Sequence, residues 1–295
     1  MEERIQDGLL RGLAGFYPGS ELLKRFGDHI QSLVEAAEQT AEDGDPERHI
    51  AALLALEAVL LSDLLSDPEA REVVHGEDLQ AAMATSQRLF ADFECRLEDA
   101  FVADIARVKD PQRYLSDCES ETRGYLARYR ALAAAEVALA GIGPQDRVVF
   151  VGAGCLPVTA MEYVRRTGCR VDAVEILRDR AAQAGAVIER LGLADSLQVI
   201  PADGRTVDFA GYNVILVGVL AEPKAAIFAR IAGSAAPDSR VLCRTTEGLR
   251  QFIYKPTAPE SLLPYQAQAI SRARGFQTLS TLCLGRVSLK PDGAA

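Results

Sequence analysis

The chain has 295 residues, 48% of them apolar, 25% charged and 6% aromatic, a profile that supplies ample core-forming material and excludes disordered and fibrous classes. Its 42 acidic and 32 basic residues leave a formal charge of −10, which repels a phosphate backbone, so nucleic acid is not an expected partner. The length allows one large domain or two ordinary ones, and two are expected.

The opening segment MEERIQDGLL is acidic where a secretory signal would be basic, and a cytoplasmic location is expected. From Glu21 to about Ala140 the chain is rich in Ala, Leu, Glu and Arg. Its apolar residues recur at three- and four-residue spacing, as in Leu22, Leu23, Phe26, Ile30 and Leu33, which predicts helix throughout. Breaks fall at Glu42-Asp43-Gly44-Asp45-Pro46, Ser66-Asp67-Pro68 and Lys109-Asp110-Pro111, where aspartate before proline opens the next helix; four or five helices result. The acidic run Glu42 to Glu47 reads as a solvated loop. Ile50 to Leu65, interrupted by Glu57 and Asp63, is too short to span a bilayer and reads as a buried helix, so no membrane partner is expected.

After Gly141-Ile142-Gly143-Pro144 the pattern changes to β-branched runs alternating with helices, the mark of a parallel sheet with crossover helices. Strands are predicted at Arg147 to Val151, Arg170 to Glu175, Leu197 to Ile200, Asn213 to Val217 and Arg240 to Arg244. Helices are predicted at about Pro157 to Arg166, Asp179 to Leu191 and Glu222 to Ile231. Phe276 to Leu284 and Arg286 to Lys290, joined around Gly285, predict a closing hairpin, and the Pro-Asp-Gly-Ala-Ala end is expected to fray. The expected fold is α/β: a helical domain over residues 1–140 that caps the substrate, then a Rossmann-like domain over 141–295. The large helical half and the apolar fraction make a homodimer conceivable.

Val151-Gly152-Ala153-Gly154-Cys155-Leu156-Pro157 falls where the first strand meets the first helix, at the sheet edge where doubly wound folds bind nucleotides. Glycine at 152 and 154 removes the Cβ atoms that would keep a ligand from the backbone. A dinucleotide fingerprint needs a third glycine where Pro157 stands, which argues against a pyrophosphate ligand. Glu175, at the end of the second strand, is placed for ribose hydroxyls, and Asp203, after the third, for an adenine amino group. An adenosine site without a phosphate cradle fits S-adenosylmethionine, with contacts expected from Gly152, Ala153, Gly154, Leu156, Pro157, Glu175, Ile176, Ala202, Asp203 and Gly218. The cysteines at 95, 118, 155, 169, 243 and 283 form no CxxC pair and lie near no histidine at ligand spacing, so reduced thiols and no metal are expected.

The segment Phe150 to Thr159 resembles the F-[IV]-G-[SG]-G-P-L-P-[LV]-T element of nicotianamine synthases and their bacterial relatives, and its Leu-Pro ending is specific. Arg244 to Tyr254, RTTEGLRQFIY, is similar to the R-S-x-x-G-x-R-x-F-[LI]-Y element of the same family. Looser matches join Glu94 to Phe101 with an E-x-x-L-E-x-x-F helix, and Tyr129 and Glu136 with an N-Y-x-x-L-x-x-x-E helix. The resemblance covers about Phe93 to Tyr254. It implies transfer of the 3-amino-3-carboxypropyl group of S-adenosylmethionine to an amine, with release of 5′-methylthioadenosine. Cys155 in place of proline, Arg128 in place of asparagine and Glu247 in place of a frequent histidine depart from the plant pattern. These departures favour the bacterial branch, in which the acceptor is the α-amine of histidine and the product begins an opine-type metallophore.

Displacement at a carbon attached to sulfonium needs a neutral amine in line with the C–S bond, and a base to take the amine's proton. By the family match Glu98 and Tyr129 are the expected catalytic and substrate-binding pair, and burial would raise the Glu98 pKa. Arg244, Arg250 and Tyr254 are the remaining expected substrate contacts, the arginines through a bidentate grip on a carboxylate or, equally, as surface salt bridges. Lys224 resembles a family lysine and carries no derivable role. The histidines at 29, 49 and 75 read as packing or exposed residues. Two other readings stay open: a methyltransferase using the same adenosine site, and an inactive S-adenosylmethionine sensor whose helical half binds a protein. Several aminocarboxypropyl transfers, giving nicotianamine itself, are the alternative within the family.

Overall fold

A computed structural model describes residues 19–62, 64–121 and 124–287 of the chain. The acidic opening segment, Asp63, the last part of the expected closing strand from 288 to 290, and the end expected to fray lie outside the described residues. The chain divides into two compact units: one comprises residues up to Glu94 with Thr246–Lys255, the other Cys95–Thr245 with the residues from Pro256 onward. The change of sequence pattern near 141 is therefore not the boundary of compactness, which falls inside the helix Gln80–Arg107.

The first unit contains helices α1 (Gly19–Glu42), α2 (Pro46–Leu60), α3 (Asp67–His75) and the beginning of α4 (Gln80–Arg107). Phe26, Ile30, Val34 and Ala37 form one buried stripe of α1, and Leu53, Leu56 and Leu60 one of α2, as helical periodicity requires. The aspartate–proline breaks behave as helix starts. Asp45 accepts a hydrogen bond from the Arg48 N–H at 3.2 Å, with Pro46 in the first turn where a missing N–H costs nothing. At the second break the cap is Ser66 and not Asp67: the Glu69 carboxylate accepts from the Ser66 N–H at 2.8 Å and its hydroxyl at 2.6 Å.

The second unit takes the rest of α4, then α5 (Pro111–Glu121) and α6 (Tyr125–Ala140). The described residues thus hold six helices before the sheet where four or five were predicted. The additional breaks are at Gly76, extended ahead of a short 3-10 turn, and at Gly124, which precedes α6. Five parallel strands follow: β1 (Arg147–Val151), β2 (Arg170–Glu175), β3 (Leu197–Pro201), β4 (Val214–Val217) and β5 (Arg240–Thr245). Helices α7 (Val158–Thr167), α8 (Arg178–Arg190) and α9 (Lys224–Ser234) connect them. Two antiparallel strands, β6 (Tyr265–Ser271) and β7 (Ser280–Arg286), complete a seven-stranded sheet of order β3-β2-β1-β4-β5-β7-β6.

Period-two alternation sends Val148 and Phe150 of β1 into a core with Ala133, Ala160, Tyr163, Val187 and Ile188 on one face. Val149 and Val151 meet Ile227, Phe228 and Ile231 of α9 on the other. The five parallel strands match their predicted ranges to within one residue. The closing hairpin does not: its first strand is Tyr265–Ser271, and Gly285 lies within β7 and not at a turn. Residues 266–269 of that edge strand are exposed, so it carries no apolar alternation by which a sequence reading would find it. Among the described residues no helix is long and apolar enough to cross a membrane.

Candidate active site

The chain reaches β2 and β3 on one side of β1 and β4 on the other, so the carboxyl ends of β1 and β4 flank a topological switch point, where this class of sheet binds ligands. The glycine turn begins there. The N–H groups of Gly152 and Ala153 donate to the Val174 carbonyl at 2.9 and 3.1 Å, tying the turn to β2, and Gly218 N–H donates to the Val151 carbonyl at 2.9 Å, tying it to β4. Gly154 has φ +71°, left-handed backbone open to glycine, and a Cβ on it would stand 2.8 Å from Glu98 Oε2. Leu156 and Pro157 are buried behind the turn, with Pro157 as the cap of α7 and not its first residue.

Glu175 ends β2 with its carboxylate wedged under the turn. Its Oε2 accepts from Gly154 N–H at 3.0 Å and its Oε1 from Leu177 N–H at 2.9 Å, and each oxygen keeps a lone pair for a ligand hydroxyl. Ala202 N–H donates to the Glu175 carbonyl at 3.1 Å, joining the ends of β2 and β3. Asp203 is engaged on both oxygens by the guanidinium of Arg205, which holds its carboxyl below the usual range; an adenine amino group would have to exchange with one of those bonds. Ile176 and Leu220, both more than half exposed, supply apolar surface after β2 and β4 that a flat ring would cover. Buried Lys224 pins the segment after β4, its ammonium donating to the Val219 carbonyl at 2.7 Å and the Ala221 carbonyl at 3.2 Å.

Glu98, on the part of α4 that belongs to this unit, points at the glycine turn. Its Oε1 accepts from the Tyr125 hydroxyl at 2.6 Å. Its Oε2 accepts from the Arg180 guanidinium at 2.6 Å and from the Cys155 N–H and thiol at 3.4 and 3.5 Å. Burial pushes the Glu98 carboxyl above the ordinary carboxylate range, opposed by the Tyr125 hydroxyl, the Arg180 charge and Cys155. The Tyr129 ring lies 4.9 Å from that of Tyr125, one helical turn away on α6. Of the two expected catalytic residues, Glu98 is therefore at the turn, and Tyr129 stands behind Tyr125.

Arg244 is neither a surface ion pair nor an open carboxylate grip. It is buried at the end of β5, where Nε and Nη2 donate to the two oxygens of Glu136 at 2.8 and 2.9 Å and Nη2 also donates to Thr159 Oγ1 at 2.7 Å. Glu136, wholly buried, further accepts from Tyr163 at 2.7 Å and Thr281 at 2.8 Å. Burial alone would lower the Arg244 pKa, but the Glu136 carboxylate holds it above the usual value. Its guanidinium lies 5.7 Å from the Tyr129 ring centre and 5.1 Å from that of Phe150, so it braces the ring beside Tyr125. Arg250, on the 3-10 turn Gly248–Phe252, and buried Tyr254 belong to the first unit.

Tyr125 and Arg180 are the site residues that the sequence reading missed. Tyr125 could have been found four residues before Tyr129, on the same helical face; Arg180 follows the acid of β2 by five residues, a spacing with no signal of its own.

A Rossmann-like sheet with a glycine turn, an acid ending its second strand and a helical segment bringing a carboxylate over the turn defines the S-adenosylmethionine-dependent transferase class of fold. The chain belongs to the nicotianamine synthase family: the sequence model described as "Nicotianamine synthase protein" matches residues 32–282. It is 28% identical to L-histidine 2-aminobutanoyltransferase of Yersinia pestis over 185 residues, 57% of this chain and 69% of that one. It is 29% identical to nicotianamine synthase 9 of Hordeum vulgare over 220 residues, 70% of this chain and 60% of that one. In fold it is similar to MtNAS in a crystal structure of a glutamate-to-glutamine mutant with S-adenosylmethionine, with TM-score 0.79 and 23% identity over 88% of this chain and 98% of that one.

Proposed function

We propose that this chain transfers the 3-amino-3-carboxypropyl group of S-adenosylmethionine to the α-amine of histidine and releases 5′-methylthioadenosine, as an early step toward an opine-type metallophore. The observation that carries this reading is Glu98: a largely but not fully buried carboxylate within hydrogen-bond reach of the glycine turn, at the switch point of the sheet. Membership of the family supports the group transferred, and the likeness to the histidine transferase supports the acceptor.

The cleft suits the co-substrate. Exposed Gly152 leaves the end of β1 free of a side chain, the spare lone pairs of Glu175 suit ribose hydroxyls, and exposed Ile176 suits the adenine face. When bound, the sulfonium supplies an activated carbon and a neutral thioether leaving group. The chain's own work is to hold the acceptor amine in line with that carbon and to take its proton. Glu98 accepts that proton, its basicity raised by burial, while Tyr125 and, behind it, Tyr129 fix the carboxylate's orientation.

The test is mass spectrometry of the purified protein with S-adenosylmethionine alone and with L- or D-histidine. A histidine adduct carrying one aminocarboxypropyl group, together with methylthioadenosine, is the expected result. Nicotianamine from S-adenosylmethionine alone would transfer the reading to the other branch of the family, and S-adenosylhomocysteine in place of methylthioadenosine would overturn both.

A further inference from the structure

Arg180 donates through Nη2 to Glu98 Oε2 at 2.6 Å and through Nη1 to Asp99 Oδ1 at 3.5 Å, so one cation faces two carboxylates. Tyr125 from α6 donates its hydroxyl to Glu98, and the Cys155 thiol, 3.5 Å from both acids, is kept protonated by burial and by the Glu98 charge. Arg244, one of the two arginines expected to hold a substrate carboxylate, is committed to Glu136.

We propose that Arg180 is the carboxylate-binding residue for the acceptor amino acid, and that the acceptor enters by splitting the Glu98–Arg180 ion pair: its ammonium takes Glu98 and its carboxylate takes Arg180. The inference rests on the transferase reading above and names how that site recognises its second substrate. A zwitterion carries both of the charges that the separated partners need, so exchange leaves no charge buried and unpaired, which a plain amine or a plain acid cannot achieve. Arg180 lies in the first turn of α8, directly after the segment that ends β2, with its side chain 18% exposed and so within reach of an entering solute.

The exchange also prepares the base. Once the ammonium has taken the place of Arg180, the proton it gives to Glu98 no longer competes with the guanidinium for that carboxylate. The ammonium proton passes to a Glu98 oxygen, and the freed nitrogen lone pair forms the new C–N bond. The C–S bond breaks with its electron pair on sulfur, leaving neutral methylthioadenosine; the proton on Glu98 then returns to solvent.

The experiment compares histidine with histidinamide as acceptors for the wild type, Arg180→Met and Arg180→Lys, with S-adenosylmethionine affinity measured separately by calorimetry. In the wild type the amide, lacking the carboxylate, should show kcat/KM lower by about 10- to 100-fold. In Arg180→Met the two acceptors should become equal within about twofold, with S-adenosylmethionine affinity retained. Arg180→Lys keeps the charge and the pair with Glu98, and guards against a folding defect; it should keep a discrimination of about threefold or more, below the wild-type value. Undiminished discrimination in either variant overturns the assignment, as does a wild type that treats acid and amide alike. A wild type that turns over neither acceptor overturns the histidine-transferase reading on which the assignment rests, an outcome distinct from both.

Discussion

Glu98 is held by four donors from three different parts of the chain, and its behaviour with pH follows from them. As the proposed base it works as the carboxylate, so activity is expected above its pKa and is expected to be lost as the pH falls through it. Burial places that loss above the range of an ordinary glutamate. Tyr125→Phe removes a donor that stabilises the anion and should move the acid limb of the kcat/KM profile upward by about one unit, with little change on the alkaline side. Glu98→Gln should lower kcat by about 100- to 10,000-fold at every pH and abolish that limb. A limb that stays in place in Tyr125→Phe would show that another group titrates. Glu98 was legible only through its family-like helix; Tyr125, which donates to it, was not, because a tyrosine on a helix face reads equally as packing.

At the scale of the element, the glycine turn joins the parts of the site. Gly152 and Ala153 hang from β2, Gly218 ties the end of β1 to β4, and Glu175 reaches back under Gly154. Gly154 is the position where a side chain is least tolerable, with left-handed backbone and the space of a Cβ filled by the Glu98 carboxylate. Gly154→Ala should cost about 1–2 kcal/mol of stability from the backbone alone, read by denaturant unfolding. It should also turn Glu98 aside and so depress kcat more than S-adenosylmethionine affinity. An alanine variant with full activity would show that Glu98 does not work from this position. This turn was the most legible element of the chain, because strand, glycine spacing and helix start are local and their order is written out between Arg147 and Thr167.

Across the second unit, the buried Glu136–Arg244 pair links α6 to β5, with Thr159 of α7 and Thr281 of β7 closing the network. Residues separated by more than a hundred positions meet there, and Tyr129 rests against the result. Glu136→Ala leaves Arg244 buried without its counter-charge and should destabilise the protein by about 3–5 kcal/mol. The double substitution Glu136→Leu with Arg244→Met should recover part of that loss, measured by chemical denaturation. A single substitution costing under about 1 kcal/mol would mean that water reaches the pair.

The sequence by itself determined the order of strands and helices between Arg147 and Thr245, the glycine turn, the acid that ends β2 and the helix breaks at Asp45-Pro46 and Lys109-Asp110-Pro111, since each rests on contacts within a few residues. Tertiary structure alone decided that residues 95–140 belong with the sheet, that Tyr265–Ser271 is a strand, that Arg244 is spent on Glu136 and that Arg180 faces Glu98. An arginine carries the same charge wherever it stands in a sequence. Whether it grips a substrate, braces a core or guards a base depends on which carboxylate the fold brings within 3 Å of it, and that distance is a property of packing.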